Sequence, residues 1–143
     1  MLELNWIFGA DTVMGGVSEG YVQRDGNAAR LTGTVSLDNN GGFIQMAADV
    51  AGLDGSGLRF QTRGDGAAYV LSLRTTALTR PWQSFRLHFV APQAWTDVTL
   101  RFADVQAHRT DAVFHATQVR RLGVLAVGTA RNVDVAVREM RTW

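Results

Sequence analysis

The chain of 143 residues has 46% hydrophobic residues, no cysteine and a formal net charge of +1. This length and composition predict a single domain over residues 1–143 with a sizeable buried core. Without cysteine, the chain can form no disulfide, thiol nucleophile or thiolate metal site. Its balanced charge, with no basic run, argues against nucleic acid as a partner. No apolar run is long enough to span a bilayer and the first residues lack signal-peptide features, so we expect no membrane insertion and a cytoplasmic location.

The first informative segment is Asp11 to Gly20 (DTVMGGVSEG), which contains the G-x-S-x-G pattern of a hydrolase nucleophile elbow around Ser18. We expect this segment to form an early β-segment and turn in which Val13 and Val17 pack inward. The two glycines between them would allow a close backbone approach or a bulge. The hydroxyl of Ser18 would hydrogen-bond to the local backbone.

Alternation of apolar and polar residues with period two recurs along the chain, in short runs separated by Gly, Asp and Asn. In Trp82 to Val90, for example, Phe85, Leu87 and Phe89 share one face. Roughly nine or ten such runs predict an all-β fold, an antiparallel β-sandwich or barrel. The other runs are Tyr21 to Arg24, Ala28 to Leu37, Gly42 to Val50, Gly57 to Arg63, Ala67 to Thr75, Thr96 to Phe102, Val119 to Val127 and Asn132 to Met140.

Three connections between these runs carry the chemistry of tight turns. They are Asp25-Gly26-Asn27, Asn39-Asn40-Gly41-Gly42 and Asp65-Gly66. Gly, Asn and Asp supply the positive φ angles that such turns require. We therefore predict a β-hairpin at each of the three.

The segment Ala103 to Gln118 has no alternation, and its sequence leaves a short helix and an irregular loop equally open. The run Leu122 to Val127 follows it and is apolar on both faces. That pattern predicts a strand buried on both sides.

The hydrolase interpretation needs more than the pattern around Ser18. A nucleophile elbow requires a helix that begins beside the serine, whereas a strand, a tight turn and another strand follow Gly20 here. A triad can be assembled from Ser18, Asp104 or Asp111, and His115, but almost any chain of this size offers such a set. A serine hydrolase acting through Ser18 is therefore a remote alternative.

No motif indicates a metal or a cofactor. The three histidines have no zinc-ligand spacing, and neither a P-loop nor a G-x-G-x-x-G motif occurs. Oxygen ligands near Asp11, Asn39 and Asn40 are chemically possible for calcium, but no EF-hand spacing supports such a site. We therefore predict no cofactor, no metal site and no catalytic residue.

The outward strand faces are rich in planar hydrogen-bond donors, and all 14 basic residues are arginine. Guanidinium groups beside an aromatic ring can bind a sugar hydroxyl, a carboxylate or a partner's backbone. The candidate ligand-binding residues are Arg59, Arg74, Trp82, Arg86 and His88. An ordinary solvated face is the alternative, and a sandwich divides strands between two sheets, so these residues need not share one surface.

Several motifs in order carry a family resemblance: Trp6 followed by Asp11-Thr12-Val13-Met14-Gly15-Gly16-Val17-Ser18, then Asn39-Asn40-Gly41-Gly42-Phe43, then Arg63-Gly64-Asp65-Gly66 with Tyr69 to Arg74. With these motifs the chain resembles the complex I intermediate-associated protein 30 family over nearly its full length. On this resemblance the structural motif residues are Asp11, Met14, Gly15, Gly16, Ser18, Asn39, Asn40, Gly42 and Phe43. The family brings no established catalytic residue.

The resemblance implies a galactose-binding-like jelly roll, related to carbohydrate-binding modules, and a non-enzymatic role. Mitochondrial relatives act as assembly factors for NADH:ubiquinone oxidoreductase, plastid relatives assist photosystem assembly, and the bacterial stand-alone members are mostly of unknown function. The first hypothesis is thus a module that binds a protein partner, such as an assembly intermediate, through the arginine-rich sheet face and neighbouring loops. The second is a carbohydrate-binding module that binds a glycan on that face.

Overall fold

Eleven β-strands dominate the structure, a computed structural model that describes residues 1–143. Four short 3₁₀ turns lie between them, at Asp11–Met14, Asp38–Asn40, Phe102–Asp104 and Ala116–Gln118. No helix is long and apolar enough to cross a membrane. The strands are β1 (Ile7–Ala10), β2 (Glu19–Asp25), β3 (Ala28–Val35), β4 (Phe43–Asp49), β5 (Gly57–Gly64), β6 (Ala68–Thr75), β7 (Ser84–Val90), β8 (Thr96–Arg101), β9 (Gln106–His108), β10 (Val119–Val127) and β11 (Arg131–Thr142).

The strands form two sheets that pack face to face. Sheet A has the order β1-β4-β10-β6-β7-β9, and sheet B has the order β2-β3-β11-β5-β8. All strand pairs are antiparallel. The predicted all-β sandwich is confirmed, because alternating strands bury one face against the opposite sheet and leave the other face to solvent.

The alternating apolar rows form the core between the sheets. Phe85, Leu87 and Phe89 of β7 are buried, as their spacing predicts. Phe60 of β5 meets Phe89 edge to face across the sandwich, with ring centroids 5.2 Å apart. The core cluster of 28 buried residues draws on both sheets. Burial of these rows fixes which way each sheet faces.

Strand β10 lies in the middle of sheet A, between β4 and β6. Its residues Leu122 to Ala126 are all buried, which confirms the prediction of a strand covered on both sides. Val127, the last residue of the predicted run, is 38% exposed because the strand ends there.

Only one of the three predicted hairpins is present. Asp25-Gly26-Asn27 joins β2 to its antiparallel neighbour β3. The segments Asn39 to Gly42 and Asp65-Gly66 instead carry the chain from sheet B to sheet A, so the hairpin prediction is wrong for both. The expected positive φ angles do occur there, for example 57° at Asn39 and 83° at Gly66. Turn chemistry therefore identified the bends but not the sheet that each following strand joins.

The alternation of the sequence does not predict two short strands, β1 and β9. Strand β1 has four residues and β9 has three, too few for alternation to stand out. Strand β9 lies inside Ala103 to Gln118, the segment that the sequence left open, and 3₁₀ turns flank it. The segment is thus neither a helix nor wholly irregular.

Tyr69 of β6 links the two sheets through a partly buried hydrogen-bond network. Its hydroxyl donates to Asp65 Oδ1 at 2.9 Å and accepts from the backbone N–H of Asp134 in β11 at 3.1 Å. Arg131 lies over the ring, 4.6 Å from its centroid, and pairs with the Asp65 carboxylate at 3.3 Å. Burial raises the pKa of Tyr69, so its hydroxyl stays protonated and continues to donate.

We predict that Tyr69→Phe destabilises the fold, because it leaves the N–H of Asp134 without this acceptor. The free energy of unfolding should fall by about 1–2 kcal/mol, measured by urea denaturation followed by tryptophan fluorescence. Tyr21→Phe is the matched control, since Tyr21 is 59% exposed, and its effect should be close to zero. Equal effects of the two substitutions would contradict the role given to Tyr69.

Candidate functional site

The residues of the two main sequence motifs meet at one end of the sandwich, around Asp11. Strand β1 ends at Ala10 in an extended conformation, and the chain then makes the 3₁₀ turn Asp11–Met14. Gly15 ends this turn with φ 87°, in the left-handed region that favours glycine. Within this turn the Asp11 side chain is fully buried, at 0% exposure.

Four hydrogen bonds hold the Asp11 carboxylate. Oδ2 accepts from the backbone N–H of Gly42 at 2.5 Å, from the N–H of Phe43 at 3.1 Å and from the Ser18 hydroxyl at 2.5 Å. Oδ1 accepts from the backbone N–H of Ser18 at 3.1 Å. Burial alone would raise the pKa of Asp11, but these bonds outweigh it and hold the pKa below the ordinary 3.8. Asp11 is thus an ionised group that connects the first motif to the second.

Two motif glycines lie directly against this carboxylate. A Cβ atom on Gly16 or on Gly41 would lie 2.5 Å from carboxylate atoms of Asp11. Since that distance is far inside van der Waals contact, a side chain at either position would displace Asp11. The close backbone approach expected for this segment therefore takes place at Gly16, and the buried carboxylate is its cause.

The second motif supplies the turn that presents N–H groups to Asp11. Asn39 and Asn40 adopt left-handed conformations, with φ 57° and 59°, and Gly42 has φ 146°. Asparagine tolerates this region better than most residues. Both carboxylate oxygens of Asp11 accept hydrogen bonds, from the N–H groups of Gly42 and Phe43 and from the N–H and hydroxyl of Ser18. No group of three or more His, Asp or Glu residues in the structure could hold a metal ion.

Ser18 has a structural role in this arrangement. Its side chain is 2% exposed, and its hydroxyl donates to Asp11 while accepting the backbone N–H of Ser36 at 2.9 Å. The chain continues from Ser18 into strand β2, not into a helix. This geometry gives no support to the serine hydrolase alternative, because a nucleophile must be exposed and activated by a base.

The same two loops expose four apolar side chains. Val13 is 85% exposed, Met14 62%, Val17 46% and Leu37 49%. The prediction that Val13 and Val17 pack inward is wrong, because the buried side chain of the 3₁₀ turn is Asp11 and the residues after it face solvent. We call Val13, Met14, Val17 and Leu37 the loop tip.

The five candidate ligand-binding residues do not share one surface. Arg74, Arg86 and His88 lie on the outward face of sheet A, in β6 and β7. Trp82 lies in the loop between those strands. Arg59 lies on the outward face of sheet B, on the opposite side of the sandwich. The structure thus brings four of the five to one side of the molecule.

Arg74 holds the loop that carries Trp82. Its guanidinium donates to the carbonyl oxygens of Pro81 and Gln83 at 2.8 Å and of Arg80 at 3.1 Å. Burial, and then the nearby charge of Arg121, lower the pKa of Arg74. The Trp82 ring is 55% exposed. The loop therefore presents one aromatic ring in a fixed position.

Arg86 belongs to a group of cations where β7 meets β9. Its Nε donates to Ser84 Oγ at 3.2 Å, and it has no ion-pair partner. Burial and then Arg109 lower the pKa of Arg86, and burial followed by both arginines lowers the pKa of His108. His108 is therefore neutral at pH 7. His88, further along β7, is exposed.

A larger set of arginines lies on the outward face of sheet B. Arg59 and Arg63 project from β5, and β11 adds Arg138 and Arg141, with Arg141 directly opposite Arg59. The six residues Arg59, Arg63, Arg138, Arg141, Trp95 and Trp143 are called the arginine–tryptophan surface below.

Guanidinium groups lie over both tryptophan rings of this surface. The Arg138 guanidinium is 3.9 Å from the Trp95 ring centroid, and that of Arg63 is 5.2 Å from the same centroid. The Arg59 guanidinium is 4.9 Å from the Trp143 centroid. Such cation–π contacts orient the arginines without a carboxylate. Alternation in β5 signalled Arg59 and Arg63, but no local pattern indicates that the distant β11 pairs with β5.

The fold and site together fit the class of non-catalytic binding modules. Arginine and glutamine side chains line the outward face of sheet B, the one buried carboxylate is engaged by structural hydrogen bonds, and the serine of the hydrolase pattern is inaccessible. Comparison with known proteins narrows this class.

Solved structures that share the fold include carbohydrate-binding modules. One is a family 11 module from Clostridium thermocellum, solved in complex with a beta-1,3-1,4-mixed-linked tetrasaccharide. Its TM-score is 0.67 at 10% sequence identity, and the alignment covers 98% of this chain and 88% of the module's chain. A family 30 carbohydrate-binding module has a TM-score of 0.61 at 13% identity, covering 90% of this chain and 92% of its own. At these identities the similarity shows the fold alone, a galactose-binding-like jelly roll.

The chain belongs to the complex I intermediate-associated protein 30 (CIA30) family, whose model matches residues 2–134. The resemblance seen in the motifs is thereby confirmed. No curated protein sequence matches the chain significantly. The Asp11 network and the loop tip lie inside the matched range, whereas Arg138, Arg141 and Trp143 lie beyond it.

We predict that Asp11→Asn lowers the free energy of unfolding by more than about 2 kcal/mol at pH 7. The substitution removes the charge and turns an amide NH₂ toward the N–H donors that the carboxylate accepts from. Urea denaturation measures the loss. Asp38→Asn is the matched control, because Asp38 is an exposed carboxylate in the 3₁₀ turn Asp38–Asn40 and its substitution should change the free energy of unfolding by close to zero. Similar small changes in both variants would contradict the network's importance.

Proposed function

We propose that this protein is a non-catalytic module that docks onto a protein partner through the loop tip. One observation carries the proposal: Val13, Met14, Val17 and Leu37 are 46–85% exposed on two loops that a buried ionised carboxylate holds in place. Exposed apolar side chains are common singly, but a group of them on a fixed loop pair is typical of a binding surface.

The energetics of the loop tip suit protein association. Complete burial of a Val, Leu or Met side chain contributes about 1.5–3 kcal/mol, so a few such residues can form the desolvated centre of an interface. Because the Asp11 bonds already order both loops, little backbone entropy is lost when a partner binds. Rigid apolar loops thus bind more tightly than mobile loops of the same composition.

Family membership supports an assembly intermediate of respiratory complex I as the partner. The family takes its name from association with such intermediates. The structural use of Asp11 and Ser18 also supports a role in binding rather than in catalysis.

Glycan binding is the second candidate, and one observation favours it. Arg74 fixes the loop that exposes the Trp82 ring beside the outward face of sheet A, and an exposed ring can stack on a sugar. The shared fold with carbohydrate-binding modules is compatible with this function. Trp82 is, however, the only half-exposed aromatic ring near that face, and the absence of any signal on a glycan array would remove the candidate.

We predict that the double substitution Val13→Ser with Met14→Ser abolishes partner binding without unfolding the protein, because both side chains are exposed. Affinity capture from the native host should recover a stoichiometric protein partner with the wild-type chain and lose it with the variant.

The matched control is Val113→Ser, which removes an apolar side chain that is 69% exposed in another loop. It should capture the partner as the wild type does. Recovery of no partner by the wild type under gentle conditions, or equal recovery by the double variant, would contradict the proposal.

A further inference from the structure

Most arginines of this protein lack an acidic partner. Of the 14 arginines, only Arg30, Arg101 and Arg131 form ion pairs. The four arginines of the arginine–tryptophan surface form none. Four like charges on one face repel each other, and Arg59 and Arg141 even occupy directly opposite positions on β5 and β11. Like charges at such cross-strand positions destabilise a sheet, and an anionic ligand bound between them would offset this repulsion.

Three guanidinium groups of this surface, those of Arg59, Arg63 and Arg138, lie over tryptophan rings and retain free donors. Arg138 uses Nε to donate to Gln61 Oε1 at 2.8 Å, which leaves its two Nη groups available. Arg59 and Arg63 lie over tryptophan rings and donate no hydrogen bond to the chain. A guanidinium group that stacks by its flat face keeps its N–H edge free to bind a carboxylate in a bidentate manner. Ordering before binding lowers the entropic cost of that contact.

The spacing of the arginines follows the repeat of an extended chain. Arg59, Gln61 and Arg63 alternate along β5, and Arg138 lies opposite Gln61. The surface therefore has three successive rows of guanidinium groups, at Arg59 with Arg141, at Arg138 and at Arg63. Alternate residues of a strand are about 7 Å apart. An extended peptide with acidic residues at every second position would present carboxylates at the same interval.

We propose that the arginine–tryptophan surface binds an extended acidic peptide with Asp or Glu at alternate positions. Each carboxylate would face one row of guanidinium groups. The proposal rests on the proposed function in that the peptide would be a segment of a protein partner, but it concerns a different surface from the loop tip.

The surface favours a peptide over a nucleic acid or a glycan. Base stacking and sugar stacking both need an open aromatic face, whereas Arg63, Arg138 and Arg59 cover the tryptophan rings.

The test is isothermal titration calorimetry at low salt, in which a synthetic decapeptide of alternating Glu and Thr is added to the wild-type protein. The same peptide with Gln in place of Glu is the neutral probe, and a single-stranded oligonucleotide and a polyuronate are the competing anions. We expect saturable binding of the Glu peptide alone, weakened by added salt. Equal binding of the Gln peptide, tighter binding of either competing anion, or no binding of the Glu peptide would overturn the proposal.

Two double variants locate the binding. Arg59→Gln with Arg63→Gln should weaken the Glu peptide at least tenfold, while Arg80→Gln with Arg109→Gln removes the same charge from exposed arginines elsewhere and should change the affinity less than twofold. Thermal unfolding confirms that both variants are folded. Equal weakening by the two pairs would overturn the proposal.

The double variant Arg59→Lys with Arg63→Lys tests the guanidinium group itself, because lysine keeps the positive charge but cannot bind a carboxylate in a bidentate manner. It should weaken binding severalfold, and wild-type affinity would contradict the role of the stacked guanidinium groups. The loop-tip variant should bind the peptide normally. Peptide binding without partner capture would therefore refute the proposed function while leaving this site intact, and capture without peptide binding would do the reverse.

Discussion

A buried, ionised carboxylate organises one end of this sandwich. Removing Asp11 from water is costly, and the chain offsets the cost by bringing four hydrogen-bond donors from two loops to one side chain. This requirement accounts for much of the local sequence. Glycine occurs where a Cβ atom would collide with the carboxylate, at Gly16 and Gly41, and asparagine occurs where the turn is left-handed. The serine of the hydrolase pattern is part of the same network.

The two proposed recognition surfaces share a physical principle, which is order before binding. Around Asp11, the hydrogen bonds of two loops fix apolar side chains that face solvent. On sheet B, three arginines that form no ion pair, Arg59, Arg63 and Arg138, lie over the rings of Trp95 and Trp143. In both places the cost of ordering is met within the folded protein, so an approaching ligand does not bear it. The two surfaces differ in chemistry and would recognise an apolar and an acidic part of a partner.

The sequence predicts local features of this fold better than its long-range pairings. Alternation identified nine of the strands and the buried row of β7, because period two reports which residues share a face. Turn chemistry located the bends near Asn39 and Gly66 but could not indicate that the chain changes sheets there. Nothing in the local sequence indicates that Asp11 is buried or that four donors converge on it, two of them 31 and 32 residues away. The neighbours of Arg59 in β11 depend on pairing across 80 residues or more and were equally hidden.

Asp11 is a buried anion held by donors from both loops, and a carboxyl NMR titration of Asp11 measures whether that side chain is ionised in the folded protein. A depressed pKa contributes stability that is present above the ordinary pKa of 3.8 and is lost as the pH falls through the lower folded value. We expect a titration midpoint for Asp11 below 3.8, with the amide resonances of Ser18, Gly42 and Phe43 shifting at the same midpoint. A midpoint at or above 3.8, or amide resonances that do not shift with it, would contradict an Asp11 carboxylate held ionised by these donors.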